Sequence, residues 1–197
     1  MFAQAGVGWL IAQILIPALA GLVGVAVGGW MTGHHQKKER ESAFIKERLR
    51  DFYAPLLRMR SEIRAKSELR VKITSVTHAD WQGKFEGITD PEAKKAIDLQ
   101  ESPRVEKVFD YNDKQLREEI VPLYRKMLEW FSSRMWLAEP STLTHYSALV
   151  EFVELWNRVD TLPGSAVMKL EHSEKKLYPL YDDLKTNFER LSKELRK

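Results

Sequence analysis

The 197-residue chain has no cysteine, few glycines beyond its first sixth, and no Lys, Arg, Asp or Glu anywhere in its first 36 positions. Without cysteine there are no disulfides and no thiolate metal sites, and the chain is long enough to bury a core without them. Seven of the ten glycines lie at or before Gly33, which leaves Gly83, Gly87 and Gly164 for everything after it. That is too few for a sheet with glycine-rich turns. The chain also lacks the phosphate-cradling patterns GxGxxG and GxxxxGK[ST], the zinc pattern HExxH and the nucleophile pattern GxSxG. The Glu-x-x-His motif of di-iron bundles is absent too. His78, His145 and His172 stand apart, and Glu118–Glu119 and Asp182–Asp183 are adjacent pairs whose side chains diverge by about 100° on a helix. These absences predict a protein that is not an enzyme and holds no cofactor and no metal.

The missing charge at the start says where the chain lives. Val7 to Met31 is a 25-residue run without a charge, long enough to cross a bilayer as a tilted helix. Trp9 and Trp30 fall roughly 31 Å apart along such a helix, at the two interfaces where tryptophan concentrates. A cleaved leader needs a basic start and a shorter core, and "MFAQAG" carries no basic side chain. The reading is a span over 7–33, with residues 1–6 as a short outer terminus. Lys37, Lys38 and Arg40 open a basic flank on the far side, which predicts an outer N-terminus and a cytoplasmic domain over 34–197. His34 and His35 are read as a solvated pair at that interface.

One face of the span invites helix contact. Gln13, Ala20, Gly24 and Gly28 share a sector with Pro17 at 100° per residue. Small residues at four-residue spacing let backbones approach, and a buried amide hydrogen-bonds across such an interface.

Beyond the flank, charge is uneven. Residues 37–72 carry twelve Lys/Arg against six Asp/Glu, whereas 73–197 carry nineteen against twenty-two. A basic stretch directly after an apolar run favours anionic lipid over nucleic acid as its partner. Arg64 lies roughly 40 Å along a helix from Lys37, several Debye lengths away, so cations this far out are expected to pair within the domain.

The apolar spacing after residue 36 is helical. Ile45, Leu49, Phe52, Leu56, Met59 and Ile63 repeat at alternating steps of four and three, as do Leu116, Ile120, Leu123, Met127 and Trp130. Leu177, Tyr181, Leu184, Phe188, Leu191 and Leu195 repeat likewise, and Tyr146, Leu149, Val150, Val153 and Trp156 share one side. Tyr53, Leu57, Tyr124 and Phe131 widen these stripes beyond a two-stranded coiled-coil seam, as a bundle requires. The expected fold class is all-α: one N-terminal transmembrane helix, then an antiparallel bundle of about four helices over 37–74, 113–137, 142–160 and 166–196. A long connection is expected over 75–112, a lid held across the bundle by Trp81 and Phe85, with a short helix opening at Asp90–Pro91. "FYAPLL", "IVPLYR" and "LYPLYD" each place a proline inside or at the start of a helix, and bends at similar heights would open a pocket.

The block "LRDFYAPLLRMRSEIRAKSELRVKI", residues 49–73, resembles a group of uncharacterised bacterial proteins with one N-terminal span and a helical cytoplasmic domain. The resemblance implies a bacterial inner-membrane setting and no activity. The functional expectation is an anchored, non-enzymatic scaffold or accessory subunit that assembles with itself or with other membrane subunits. The alternatives are a membrane-active effector whose spans oligomerise and permeabilise the bilayer on a cytoplasmic trigger, and a sensor using the proline pocket. Gln13 is the one polar group of the span, which ranks scaffold above pore. A reporter fused after Lys197 is expected to work only if it matures in the cytoplasm; periplasmic activity of that fusion reverses the orientation.

Overall fold

The computed structural model describes residues 36–161 and 173–196. Every regular element among them is helical, and none is a strand. The chain divides into two compact units, Met1–Lys46 and Glu47–Lys197. In the first, residues 36–46 are described and helical, in line with the start of the helix expected over 37–74. Lys37, Lys38 and Arg40 are all exposed there, and Lys37 Nζ lies 3.9 Å from Glu41. The expected span over 7–33, with Trp9, Gln13, Ala20, Gly24, Gly28 and Trp30, falls outside the described residues. Among the described residues no helix is long and apolar enough to cross a membrane.

The second unit is a helical bundle. Its first helical run passes through a π-turn, Leu49–Tyr53, into α1, Ala54–Gly83. A turn over 84–90 leads to α2, Pro91–Gln115, and a second π-turn, Leu116–Ile120, leads to α3, Val121–Ser133. A 3-10 turn, Met135–Leu137, and the single-turn helix α4, Pro140–Leu143, connect to α5, Tyr146–Thr161. A 3-10 turn at Glu174–Leu177 opens α6, Tyr178–Glu194.

Three prolines set the winding. Pro55, Pro122 and Pro179 each occupy the first turn of α1, α3 and α6, directly after a turn of altered pitch. A proline has no N–H to give, and its ring pushes away the carbonyl four residues back, so the preceding turn widens. In both π-turns the residue before the proline bonds five back, Ala54 N–H to Leu49 O and Val121 N–H to Leu116 O. The carbonyl that Pro55 leaves without its helical donor is that of Asp51. Trp130 Nε1 donates to it at 2.9 Å from α3. Pro103 lies inside α2 with no such turn. It is exposed, so the helix accommodates the ring on its solvent side.

The core is arranged around these turns. Phe52 meets Tyr53 and Phe131 edge to face, with centroids 5.0 and 5.2 Å apart. Leu56, Met59, Ile63, Met127, Leu149, Leu184 and Leu191 are buried as well. Phe52, Leu56, Met59 and Ile63 are buried as the first seam predicts. In α3 the buried line is Val121, Tyr124, Met127 and Phe131, so Tyr124 and Phe131 lie deeper than Leu123 and Trp130.

The expected connection over 75–112 is corrected by the structure. Residues 75–83 continue α1, and the helix opening at Pro91 runs 25 residues instead of being short. Asp90 caps it as expected, accepting from Glu92 N at 3.2 Å. Gly87 has φ +76° in the turn, a conformation that favours glycine. The segment is one arm of a hairpin with α1 rather than a lid, and Trp81 and Phe85 pack against each other at its tip, 5.4 Å apart.

Trp130→Phe leaves an aromatic ring at the position that Arg134 covers and removes the donor to Asp51. It is expected to cost about 1–3 kcal/mol in denaturant unfolding of the full chain, the penalty for stranding a carbonyl. In a Pro55→Ala background residue 55 regains an N–H for Asp51, and the cost shrinks. An equal cost in both backgrounds contradicts this account of the turn.

Candidate functional site

The hairpin of α1 and α2 is the part of the bundle with surface to spare. All three buried side chains of α1, Leu56, Met59 and Ile63, lie in its first ten residues, and α2 buries only Asn112. Half-buried Trp81, Val105 and Val108 and a set of polar contacts close the rest. Asn112 Nδ2 donates to Thr74 Oγ1 at 2.9 Å, Lys84 Nζ reaches Glu101 at 2.6 Å, and Arg104 lies 3.6 Å from both Asp80 and Glu101. Other apolar side chains are left outside. Leu69 is 55 % exposed, Val76 is 66 % exposed, and Ile73 lies between them. Their spacing of four and three places all three on one face. That face is turned by roughly 120° from the buried line ending at Ile63, so it is not a continuation of the core seam. Leu99 and Tyr111 of α2 are exposed as well.

A second cluster ties α4 into the bundle. Tyr53 and Thr142 are fully buried. Thr142 Oγ1 donates to Asp183 Oδ2 at 2.5 Å, which spends its only proton. Tyr53 must then be the donor in its 3.2 Å contact with Thr142, and its oxygen accepts from Glu139 N at 3.0 Å. Asn187 Nδ2 donates to Asp183 Oδ2 at 3.1 Å and completes a chain of bonds that ends on a carboxylate. At the rim, Arg48 donates to the Leu137 carbonyl at 2.7 Å and to Glu139 Oε1 at 2.6 Å, and Arg190 donates to the same oxygen. Burial acts to raise the Glu139 carboxyl, but hydrogen bonds from Arg48 and Arg190 outweigh it and hold the group below its ordinary value. Closed to water at Tyr53 and Thr142, this cluster fixes structure.

A third polar group is centred on Glu174. Arg60 Nη1 lies 3.0 Å from Glu174 Oε1, and Tyr181 donates to that oxygen at 3.1 Å. The Arg60 contact is ionic without an aligned hydrogen bond, and its guanidinium also covers the Tyr181 ring at 4.1 Å. Burial pushes the Tyr124 and Tyr181 phenols far above their ordinary values, so both stay neutral.

Of the outer cations, Arg60 pairs with Glu174, Arg64 with Glu68, and Lys66 with Glu62 and Glu119. Arg58, Arg70 and Lys72 form no ion pair among the described residues. Intramolecular pairing thus accounts for half of this row. The Leu69–Ile73–Val76 stripe is not among the seams expected from the sequence, although its signal is present there: the four-three pattern breaks at Lys66 and resumes on another face. Comparison with family models, with curated proteins and with solved structures finds no match for this chain.

A carboxyl held below its ordinary value contributes stability above the unfolded carboxylate pKa, about 4.3, and loses that contribution as pH falls through the folded value. Glu139→Gln is therefore expected to cost about 1–2 kcal/mol at pH 7, a modest figure because the side chain still meets water at its edge. By pH 3 the difference from the parent should narrow. Unfolding curves at the two pH values measure it, and a constant difference rules out the charged latch.

Proposed function

We propose that this chain is a membrane-anchored, non-enzymatic scaffold or accessory subunit that acts by helix-mediated assembly. In this reading residues 7–33 span a bacterial inner membrane with the N-terminus outside, and the antiparallel bundle works in the cytoplasm. The partners are the lipid bilayer and a second copy of the chain or other membrane subunits. The resemblance of residues 49–73 to single-span bacterial proteins supports the setting. The observation that carries assembly is the exposed stripe Leu69, Ile73 and Val76 on a hairpin that does not bury it. An apolar row at helical spacing that the domain does not bury is a surface for another helix. Lys37, Lys38 and Arg40, all exposed, are the lipid-facing cations of this reading, and Gln13, Ala20, Gly24 and Gly28 are a second contact within the membrane.

Leu69→Lys with Val76→Lys places two charges on the stripe without touching a buried side chain. Stability is expected to change by no more than about 0.5 kcal/mol, while association measured by size analysis in mild detergent is lost. Gly24→Ile with Gly28→Ile tests the membrane contact in the same assay. If both variants assemble as the parent does, the scaffold reading fails.

A further inference from the structure

We infer that the recess beside the second π-turn is a binding site for a small anion with a flat apolar body, of the class of aryl carboxylates and aryl phosphates. The recess encloses about 520 Å³, within the roughly 300–1,000 Å³ that suits a small molecule rather than a protein helix. One wall is the widened turn itself, where Leu116, Ile120 and Val121 face it. Three aromatic side chains line it as well. Tyr124 and Phe152 have centroids 4.7 Å apart, and Trp156 lies 6.4 Å beyond Phe152. Tyr124 and Phe152 are buried, so the half-buried Trp156 is the ring that offers stacking area to a planar body.

The polar groups at the edge decide the sign of the ligand. Arg70 of α1 and Arg117 of the π-turn both border the recess, and neither has an ion-pair partner among the described residues. Two acids border it as well, Glu174 and Asp113. Glu174 is already matched by Arg60 and Tyr181, which leaves Asp113 against two guanidiniums. Planar guanidinium groups bind carboxylate and phosphate oxygens through paired N–H donors. An apolar aromatic lining with arginines at its rim therefore selects an aryl anion over a cation or a neutral aryl compound. The site is independent of the assembly reading, because the stripe on α1 takes no part in it.

The test uses the full chain in lipid nanodiscs with 2-naphthoate as probe, read by equilibrium dialysis against empty nanodiscs. Saturable binding at one site per chain is expected. Arg70→Gln with Arg117→Gln should weaken it roughly tenfold or more, and neither side chain is buried, so the helical content should stay that of the parent. Arg125→Gln, whose Nε donates to Asn157 and which does not border the recess, should keep parental affinity. Neutral 2-naphthol should bind the parent more weakly than 2-naphthoate, and that difference should vanish in the double variant. Absence of saturable binding up to about 5 mM, equal affinity of parent and double variant, or equal affinity for naphthol and naphthoate would each overturn the assignment.

Discussion

A proline cannot donate a backbone hydrogen bond, and most of this domain depends on where three of them stand. Pro55 and Pro122 each force the turn before them to widen, and each wide turn ends at the level where the core begins. Phe52 and Tyr53 leave the first such turn, and Ile120 leaves the second. The extra residue in a wide turn rotates the rest of the helix by about a quarter turn, so side chains on either side need not share one line. The displaced Asp51 carbonyl is then met by the Trp130 indole of a different helix. A defect in one helix has become a tie between two.

The two halves of the described bundle are held differently. Around Phe52, Phe131 and Leu184 the contacts are apolar and the side chains fully buried. Toward the hairpin tip the contacts include ion pairs, the bond from buried Asn112 to Thr74 and the Trp81–Phe85 ring contact. Exposed pairs of this kind are individually weak. They help position two helices, and Leu69, Ile73 and Val76 remain outside. The polar chain through Tyr53, Thr142 and Asp183 serves differently, because a buried and fully satisfied network fixes one arrangement of α4 over its alternatives.

Much of the helical architecture was legible in the residues. Scarce glycine and alternating four-three spacing define an all-helical domain, and Asp90–Pro91 marks a helix start that the backbone adopts. The extent of α2 was not legible, since a helix that buries only Asn112 leaves no apolar period to read. Tyr124 and Phe131 look like additions to the Leu123–Trp130 seam until the wide turn resets the phase of α3. Arg48, Glu139, Thr142, Asp183 and Asn187 form no local motif, because three-dimensional closure alone brings them together. Arg70 and Arg117 likewise read as ordinary helix cations until the turn at Leu116–Ile120 places them beside one recess.

The uneven burial of α1 has a thermodynamic consequence. Its first ten residues are anchored by Leu56, Met59 and Ile63, so their amides open to solvent only when the whole core does. Past Ile63 no side chain of α1 is buried, and the Thr74–Asn112 bond, the Lys84–Glu101 pair and the half-buried Trp81, Val105 and Val108 close the hairpin. Opening there requires no loss of core packing. The hairpin is thus a separate cooperative unit with its own, smaller opening free energy, and its amides should exchange with solvent well before those of α3 and α6. Anything that docks along Leu69, Ile73 and Val76 would raise that free energy locally and leave the core unchanged.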